Sequence, residues 1–109
     1  MQMITTHVLD SARGLPAVEV PVRLERAASG EVLGSARTDG DGRVRELGPA
    51  RLDAGGCYRL VFDTGAYFEA TGQRGFYPEV AVTFTVADDG HYHVPLLLSP
   101  FAYSTYRGS

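Results

Sequence analysis

Two of the three histidines in this chain lie two residues apart near the end of the sequence, at His91 and His93. Side chains at this spacing on a β-strand point to the same face, so the two imidazoles would stand side by side. A neutral imidazole can accept or donate a proton near neutral pH, and it can also bind a metal ion. The pair therefore indicates acid–base chemistry or a metal site, although an ordinary solvent-facing pair explains the spacing equally well.

His7 is the third histidine, and it makes a zinc site the chief chemical alternative. Three histidines are the protein ligands of one common kind of catalytic zinc site. Against this reading, the sequence places no carboxylate beside the pair to orient a ligating imidazole, and the single cysteine, Cys57, belongs to a different predicted strand. Taken alone, a lone strand histidine such as His7 is usually an ordinary polar residue.

Arg43 directly follows the turn motif Asp-Gly-Asp-Gly at residues 39–42. An arginine that leaves a tight turn is usually solvated, but its planar fork of donors also suits an oxygen-rich ligand. The motif resembles part of a calcium loop, but the twelve-residue spacing with a closing glutamate is missing, so calcium binding is not predicted.

In the terminal segment, Phe101, Tyr103 and Tyr106 are bulky for a loose end. We therefore expect this segment to dock into a sheet or a subunit interface.

Apolar and polar residues alternate along most of the chain, as in strands that bury one face. The stretch 4–8 should bury Ile4, Thr6 and Val8 and leave His7 on the opposite face. Pro21 cannot donate to a strand ladder and therefore favours an edge strand or a bulge. Further strands are expected at residues 18–24, 58–62, 80–86 and 92–98.

Turn motifs rich in glycine and aspartate separate these runs and predict an all-β antiparallel sandwich. One short helix is expected over residues 64–71, with Thr64 as its N-cap and Gly72 as its stop. The length of 109 residues favours a single domain over residues 1–109. These elements would have to bring the histidines and Arg43 together.

The charge balance limits the partners of the protein. The net charge is −3, with 10 Lys and Arg against 13 Asp and Glu, and the sequence has no basic run. Neither nucleic acid nor an anionic membrane is therefore expected as a partner. The apolar runs are too short for a membrane helix, and a lone cysteine cannot form an internal disulfide, so we expect a cytoplasmic protein.

Four segments taken together resemble the 5-hydroxyisourate hydrolases, the transthyretin-related enzymes of urate breakdown. The resemblance spans residues 4–109 and is most specific at the final Tyr-Arg-Gly-Ser, which separates these enzymes from transthyretin, the hormone carrier with the same fold. Ala102 is a small departure, since Gly or Ser is expected there. The matching segments are Thr-Thr-His-Val-Leu-Asp at 5–10, Thr-Asp-Gly-Asp-Gly-Arg at 38–43, His-Tyr-His-Val-Pro-Leu-Leu-Leu-Ser-Pro at 91–100 and Tyr-Ser-Thr-Tyr-Arg-Gly-Ser at 103–109.

The resemblance implies a transthyretin-like (prealbumin-like) antiparallel β-sandwich of two four-stranded sheets with one short helix. It also implies a homotetramer, assembled as a dimer of dimers, with active sites in the channel where the dimers meet and with neither cofactor nor metal. The catalytic residues that it implies are His7, Arg43, His93 and Ser109. The substrate-binding residues that it implies are His7, Arg43, Tyr106, Arg107, Gly108 and Ser109.

The implied reaction is hydrolysis of 5-hydroxyisourate to 2-oxo-4-hydroxy-4-carboxy-5-ureidoimidazoline. One neutral histidine, His7 or His93, would deprotonate the attacking water, and the other would protonate the leaving ring nitrogen. Arg43 would hold the substrate and polarise its carbonyl. Three alternatives stay open at this point: a carrier of a hydrophobic ligand, a zinc hydrolase that uses all three histidines, and a purely structural β-module.

Overall fold

The computed structural model describes residues 3–48, 52, 55–88 and 90–109, which form nine strands and one helix. No helix in these ranges is long and apolar enough to span a membrane. In chain order the elements are β1 Met3–Asp10, β2 Leu15–Pro16, β3 Pro21–Arg26, β4 Val32–Arg37, β5 Arg43–Val44, β6 Gly56–Phe62, α1 Thr64–Ala70, β7 Val80–Val86, β8 His91–Ser99 and β9 Ala102–Thr105.

The strands form two sheets, and the expected all-β sandwich with one short helix is confirmed. One sheet has the order β4-β3-β6-β7, and the other has the order β2-β1-β8-β9, with the two-residue β5 also paired to β1. The second sheet thus contains five strands instead of the expected four. Its central pair, β1 and β8, is parallel, whereas every other pair is antiparallel. Alternation of apolar residues is the same in parallel and antiparallel strands, so the sequence could not reveal this pairing.

The core contains side chains from both sheets, as alternation predicts. In β1, Ile4, Thr6 and Val8 are buried, while His7 lies on the opposite, partly exposed face. Strand β8 likewise buries its even-numbered positions and directs His91 and His93 away from the core. The buried positions of β8 on the core side are Tyr92, Val94, Leu96 and Leu98.

The start of β3 differs from the sequence prediction. The strand begins at Pro21, while Val18 is exposed and Glu19 has a left-handed φ of 61°. The reason is the buried Thr38, whose hydroxyl accepts from the Val20 amide at 2.9 Å and donates to the Ala17 carbonyl at 2.7 Å. This side chain satisfies backbone groups that a regular strand would have paired along a ladder.

Pro21 is also not at a sheet edge, because β3 pairs with β4 on one side and with β6 on the other. It is the first residue of the strand, a position that tolerates a missing N–H. The one register shift between β3 and β4 falls between Leu24 and Glu25. The prediction of an edge or a bulge at Pro21 is therefore wrong.

Helix α1 is capped by Asp63, and the predicted N-cap Thr64 is its first residue instead. The Asp63 carboxylate accepts from the Ala66 amide at 3.0 Å, whereas the Thr64 hydroxyl donates to the Tyr77 carbonyl at 2.7 Å. Both residue types are good caps, so sequence alone could not choose between them. The predicted stop is confirmed: Gly72 has a φ of 68° and donates to the Glu69 carbonyl at 3.3 Å.

The helix anchors the end of β1 through Asp10, a buried residue. The Tyr67 hydroxyl donates to the Asp10 carboxylate at 2.7 Å, the Gln73 amide donates at 3.1 Å, and the Arg13 backbone amide donates at 3.0 Å. Burial raises the pKa of Asp10, but these hydrogen bonds outweigh burial and leave that pKa lowered. Burial and the same carboxylate raise the pKa of Tyr67 to about 12. These contacts fix the C-terminal end of strand β1.

Candidate active site

A cavity of about 240 Å³ opens on the outer face of the five-stranded sheet. It lies where β1, β5, β8 and the final residues of the chain meet, on the face that carries both histidines of β8. The cavity brings together three of the residues that the sequence predicts as catalytic, Arg43, His93 and Ser109. Its lining residues are Thr5, Thr6, Arg43, Val44, Arg45, His91, His93 and Ser109.

Arg43 is placed by the Asp-Gly-Asp-Gly turn. The Asp39 carboxylate accepts from the Asp41 amide at 2.9 Å and from the Arg43 amide at 3.0 Å, which closes the turn. Gly42 has a φ of 77°, and a side chain there would collide with the backbone oxygen of Val8. Glycine is required because β5 lies directly against β1, where the Val8 amide donates to the Gly42 carbonyl at 2.7 Å.

His7 is the register partner of Arg43 in the antiparallel pair of β1 and β5. Directly opposed residues share a face, so the imidazole and the guanidinium leave the sheet side by side. His7 donates from Nε2 to the Asp41 carbonyl at 3.0 Å. Its ring lies beside the cavity and is not part of the cavity lining.

The surroundings of His93 in the cavity favour the neutral form of its imidazole. Burial lowers its pKa below the ordinary value of 6.5, and the positive charge of Arg43 lowers that pKa further, with smaller contributions from His91 and His7. A hydrogen bond with the Thr5 backbone offsets part of this shift. Nδ1 of His93 lies 2.7 Å from the Thr5 hydroxyl, which leaves Nε2 for a ligand in the cavity.

The guanidinium of Arg43 has no carboxylate within ion-pair distance among the described residues. Arg45, which also lines the cavity, differs because it lies 3.6 Å from the carboxylate of Asp39 and 3.4 Å from that of Asp41. The turn carboxylates therefore pair with Arg45. Arg43 remains available to bind a polar ligand, and it raises the local positive potential beside His93.

The terminal segment docks against β8, as its bulky residues led us to expect. Strand β9 pairs with β8, and further on the Gly108 amide donates to the His93 carbonyl at 2.8 Å. A Cβ atom on Gly108 would lie 2.5 Å from Cδ2 of the His93 ring. Glycine is therefore needed for this close approach, which places Ser109 at the cavity.

Tyr106 and Arg107 lie away from this cavity within the chain. Both line a neighbouring apolar cavity of about 230 Å³ at the edge of the sandwich, together with Val82 and Phe84 of β7. Arg107 places its Cζ atom 4.6 Å from the centre of the Tyr92 ring, a cation–π contact. Their assignment to substrate binding stays a prediction.

The three histidines are not arranged as a zinc site. Within the ranges that the structure describes, no three side chains of His, Cys, Asp or Glu lie together as a metal site requires. The rings of His91 and His93 are instead 6.1 Å apart, and both contact the hydroxyl of Thr5. The zinc alternative that uses His7, His91 and His93 does not fit this geometry.

Thr5 is the residue of the site that sequence reasoning missed. Its hydroxyl lies 2.8 Å from Nε2 of His91 and 2.7 Å from Nδ1 of His93. The sequence does indicate that Thr5 shares a face of β1 with His7, because the two residues are two positions apart on a strand. The contact itself depends on the parallel register that pairs Thr5 with His93, 88 residues away.

Comparisons with known proteins agree with this fold. Residues 4–108 match the HIUase/Transthyretin family. A 5-hydroxyisourate hydrolase of Caulobacter vibrioides is 46% identical over 116 residues, covering 100% of both chains. The solved structure of Klebsiella pneumoniae 5-hydroxyisourate hydrolase superposes with a TM-score of 0.89 at 36% identity, covering 100% of both chains. Sea bream transthyretin in complex with thyroxine has a TM-score of 0.87 at 32% identity, covering 96% of this chain and 93% of that one.

The architecture is therefore that of the transthyretin-like sandwiches. The chain belongs to the HIUase/Transthyretin family. Fold alone does not separate the hydrolases from transthyretin, because both superpose almost equally well. Curated relatives with 44–46% identity are named 5-hydroxyisourate hydrolase, and this chain is an enzyme of that kind.

Proposed function

We propose that the protein hydrolyses 5-hydroxyisourate in the cavity between β1, β5 and β8. The observation that carries this proposal is the position of His93 and Arg43 in one cavity, where Arg43 has no carboxylate within ion-pair distance among the described residues. A base that activates water and a fixed positive charge beside the carbonyl both promote hydrolysis of a cyclic amide. We infer the substrate from the name of the similar proteins, 5-hydroxyisourate hydrolase.

In the proposed mechanism, water attacks a ring carbonyl that is flanked by nitrogen. His93 takes one proton of the water through Nε2 while the water oxygen bonds to the carbonyl carbon. Arg43 donates hydrogen bonds to the carbonyl oxygen as negative charge develops on it. The carbon–nitrogen bond then breaks, and the leaving nitrogen takes up a proton, which opens the ring to 2-oxo-4-hydroxy-4-carboxy-5-ureidoimidazoline.

His93 is the better candidate for the base because its ring lines the cavity, whereas the ring of His7 lies beside it. In the contact with Asp41, Nε2 of His7 carries a hydrogen. With both ring nitrogens protonated, His7 would deliver one proton to the leaving nitrogen and become neutral, and the proton that His93 takes from water would be returned through solvent to complete the cycle. Ser109 would add a hydrogen bond to the bound substrate from the terminal segment.

The direct test is the ultraviolet decay of freshly generated 5-hydroxyisourate with and without the protein, repeated after chelator treatment. We expect acceleration that survives the chelator. Acceleration that the chelator abolishes would overturn the metal-independent mechanism in favour of a metal site. A decay rate equal to the spontaneous rate would overturn the hydrolase proposal and favour ligand carriage, as in the transthyretin that was solved with thyroxine.

We also propose that the protein works as a homotetramer, a dimer of dimers. The support is the family resemblance together with large apolar side chains that are exposed in the single chain. Analytical ultracentrifugation should show four chains per particle, and a monomer at micromolar concentration would contradict this proposal. Among the described residues these side chains are Leu15, Val18, Val32, Phe76, Phe101, Tyr103 and Tyr106.

A cytoplasmic location is the last part of the proposal. It is supported by Cys57, the single cysteine of the sequence, which is free and exposed and cannot form an internal disulfide. Cell fractionation should recover the protein with cytoplasmic markers, and recovery in an extracytoplasmic fraction would contradict this location.

A further inference from the structure

The hydroxyl of Thr5 lies between the two histidine rings of β8. Its Oγ1 atom is 2.8 Å from Nε2 of His91 and 2.7 Å from Nδ1 of His93. Thr5 itself is buried, and the parallel register of β1 and β8 pairs it directly with His93. One hydroxyl therefore contacts both imidazoles at the wall of the cavity.

A hydroxyl has one hydrogen and two lone pairs, so it can donate to at most one of these rings, and it then accepts from the other. If Thr5 donates to His93, then Nδ1 of His93 is bare and Nε2 carries the hydrogen. If Thr5 donates to His91, then His93 donates from Nδ1 to Thr5, and its Nε2 is bare. His93 can accept a proton in the cavity whenever it donates from Nδ1, and the second arrangement does this while also giving the hydroxyl hydrogen of Thr5 an acceptor.

We propose that Thr5 is a positioning residue that holds His93 in the Nδ1–H tautomer, with Nε2 free to act as the base. This inference rests on the proposed function. The donor chain runs from Nδ1 of His93 to Thr5, and from Thr5 to Nε2 of His91. When Nε2 of His93 takes the proton of water, Nδ1 keeps its hydrogen, so the chain survives protonation and becomes charge-assisted. His91 supplies the acceptor that turns the hydroxyl in this direction.

The neighbouring threonine shows what a purely structural hydroxyl looks like on the same strand. Thr6 faces the core, and its hydroxyl donates to the Val94 carbonyl at 2.6 Å. A carbonyl accepts and cannot donate, so this bond has one direction. Thr5 differs because both of its partners can change roles with their tautomers.

The kinetic test compares Thr5→Val, which removes the hydroxyl, with Thr5→Ser, which keeps it. Thr83→Val is the matched control, because Thr83 is exposed on β7 of the other sheet. We expect Thr5→Val to lower kcat about tenfold with little change in KM, since a misplaced catalytic group costs roughly this much or more. Thr5→Ser should restore most of kcat, and Thr83→Val should match the wild type.

Unfolding temperatures of all four proteins separate a tautomer effect from simple loss of stability. Unchanged kcat in Thr5→Val would overturn the proposal. Failure of Thr5→Ser to recover activity, while folding like the wild type, would also overturn it.

Nitrogen-15 NMR of the imidazoles provides a readout that does not depend on turnover. In the wild type at a pH where His93 is neutral, we expect a protonated Nδ1 and a bare Nε2, and a shift toward the other tautomer in Thr5→Val. A bare Nδ1 in the wild type would overturn the proposal. If the wild type does not hydrolyse 5-hydroxyisourate, the proposed function fails, and these spectra still decide the tautomer of His93.

Discussion

The two sheets carry two arginine clusters that differ in their partners. On the four-stranded sheet, the Glu25 carboxylate forms ion pairs with Nε of Arg23 at 2.6 Å and with Nη2 of Arg59 at 2.9 Å. In the cavity of the five-stranded sheet, Arg43 stands beside His93, with no carboxylate within ion-pair distance among the described residues. The same residue type is neutralised in the first cluster and left unpaired in the second.

The effect on neighbouring groups follows from this difference. Hydrogen bonds from Arg23 and then Arg59 lower the pKa of Glu25, which keeps that carboxylate ionised and the cluster paired. Burial, and then the charge of Arg43, lower the pKa of His93, which keeps that imidazole neutral. An arginine that is paired with a carboxylate has its charge neutralised and contributes to the stability of its sheet. An arginine that lowers the pKa of a neighbouring histidine acts through its charge, so that charge must not be neutralised by a carboxylate.

The largest effect is expected from His93→Ala in the cavity cluster. Removing a positioned base should lower kcat by about 10² or more. Steady-state kinetics on 5-hydroxyisourate measure this change, and circular dichroism checks that the sandwich is intact. A folded variant with nearly full kcat would show that His93 is not the base.

The next effect is expected from Arg43→Gln. Loss of a charge-assisted hydrogen bond to the substrate should lower kcat/KM by about tenfold or more. Because Arg43 has no ion-pair partner among the described residues, the unfolding temperature should stay close to that of the wild type. A large fall in unfolding temperature with intact kcat/KM would make Arg43 a structural residue.

The smallest effect is expected from Arg23→Gln, the matched change in the other cluster. Its side chain is 40% exposed, and exposed ion pairs contribute little to stability. We expect unchanged kcat/KM and a fall in unfolding temperature of at most about 5 °C. Loss of activity in this variant, with the fold intact, would remove the contrast between the two clusters.

Much of the fold could be predicted because alternation reports burial directly. In β8 it separated the buried Val94 from His93 correctly. Alternation does not report strand direction, however, so the parallel pairing of β1 with β8 could not be foreseen. At Val18 the alternation was misleading, because hydrogen bonds of Thr38 replace the ladder there.

The site was predictable in its residue types and less so in its contacts. Resemblance identified Arg43 and His93, which the structure brings to one cavity. It also grouped Arg107 with them, although within the chain that side chain lies over Tyr92 in another cavity. Thr5 escaped notice because its importance comes from a long-range register, which no local pattern encodes.

The pH dependence of kcat/KM in the wild type and in Arg43→Gln tests most directly whether the unpaired arginine keeps His93 neutral. Burial contributes most to the lowered pKa of His93, the charge of Arg43 on β5 comes next, His91 on β8 and His7 on β1 contribute less, and a hydrogen bond with the Thr5 backbone opposes the shift. Protonation of His93 removes the base, and positive charge disfavours that protonation. We expect wild-type kcat/KM to fall as the pH is lowered, with a midpoint below 6.5, and we expect this midpoint to move upward in Arg43→Gln. The same midpoint in both proteins would contradict this expectation.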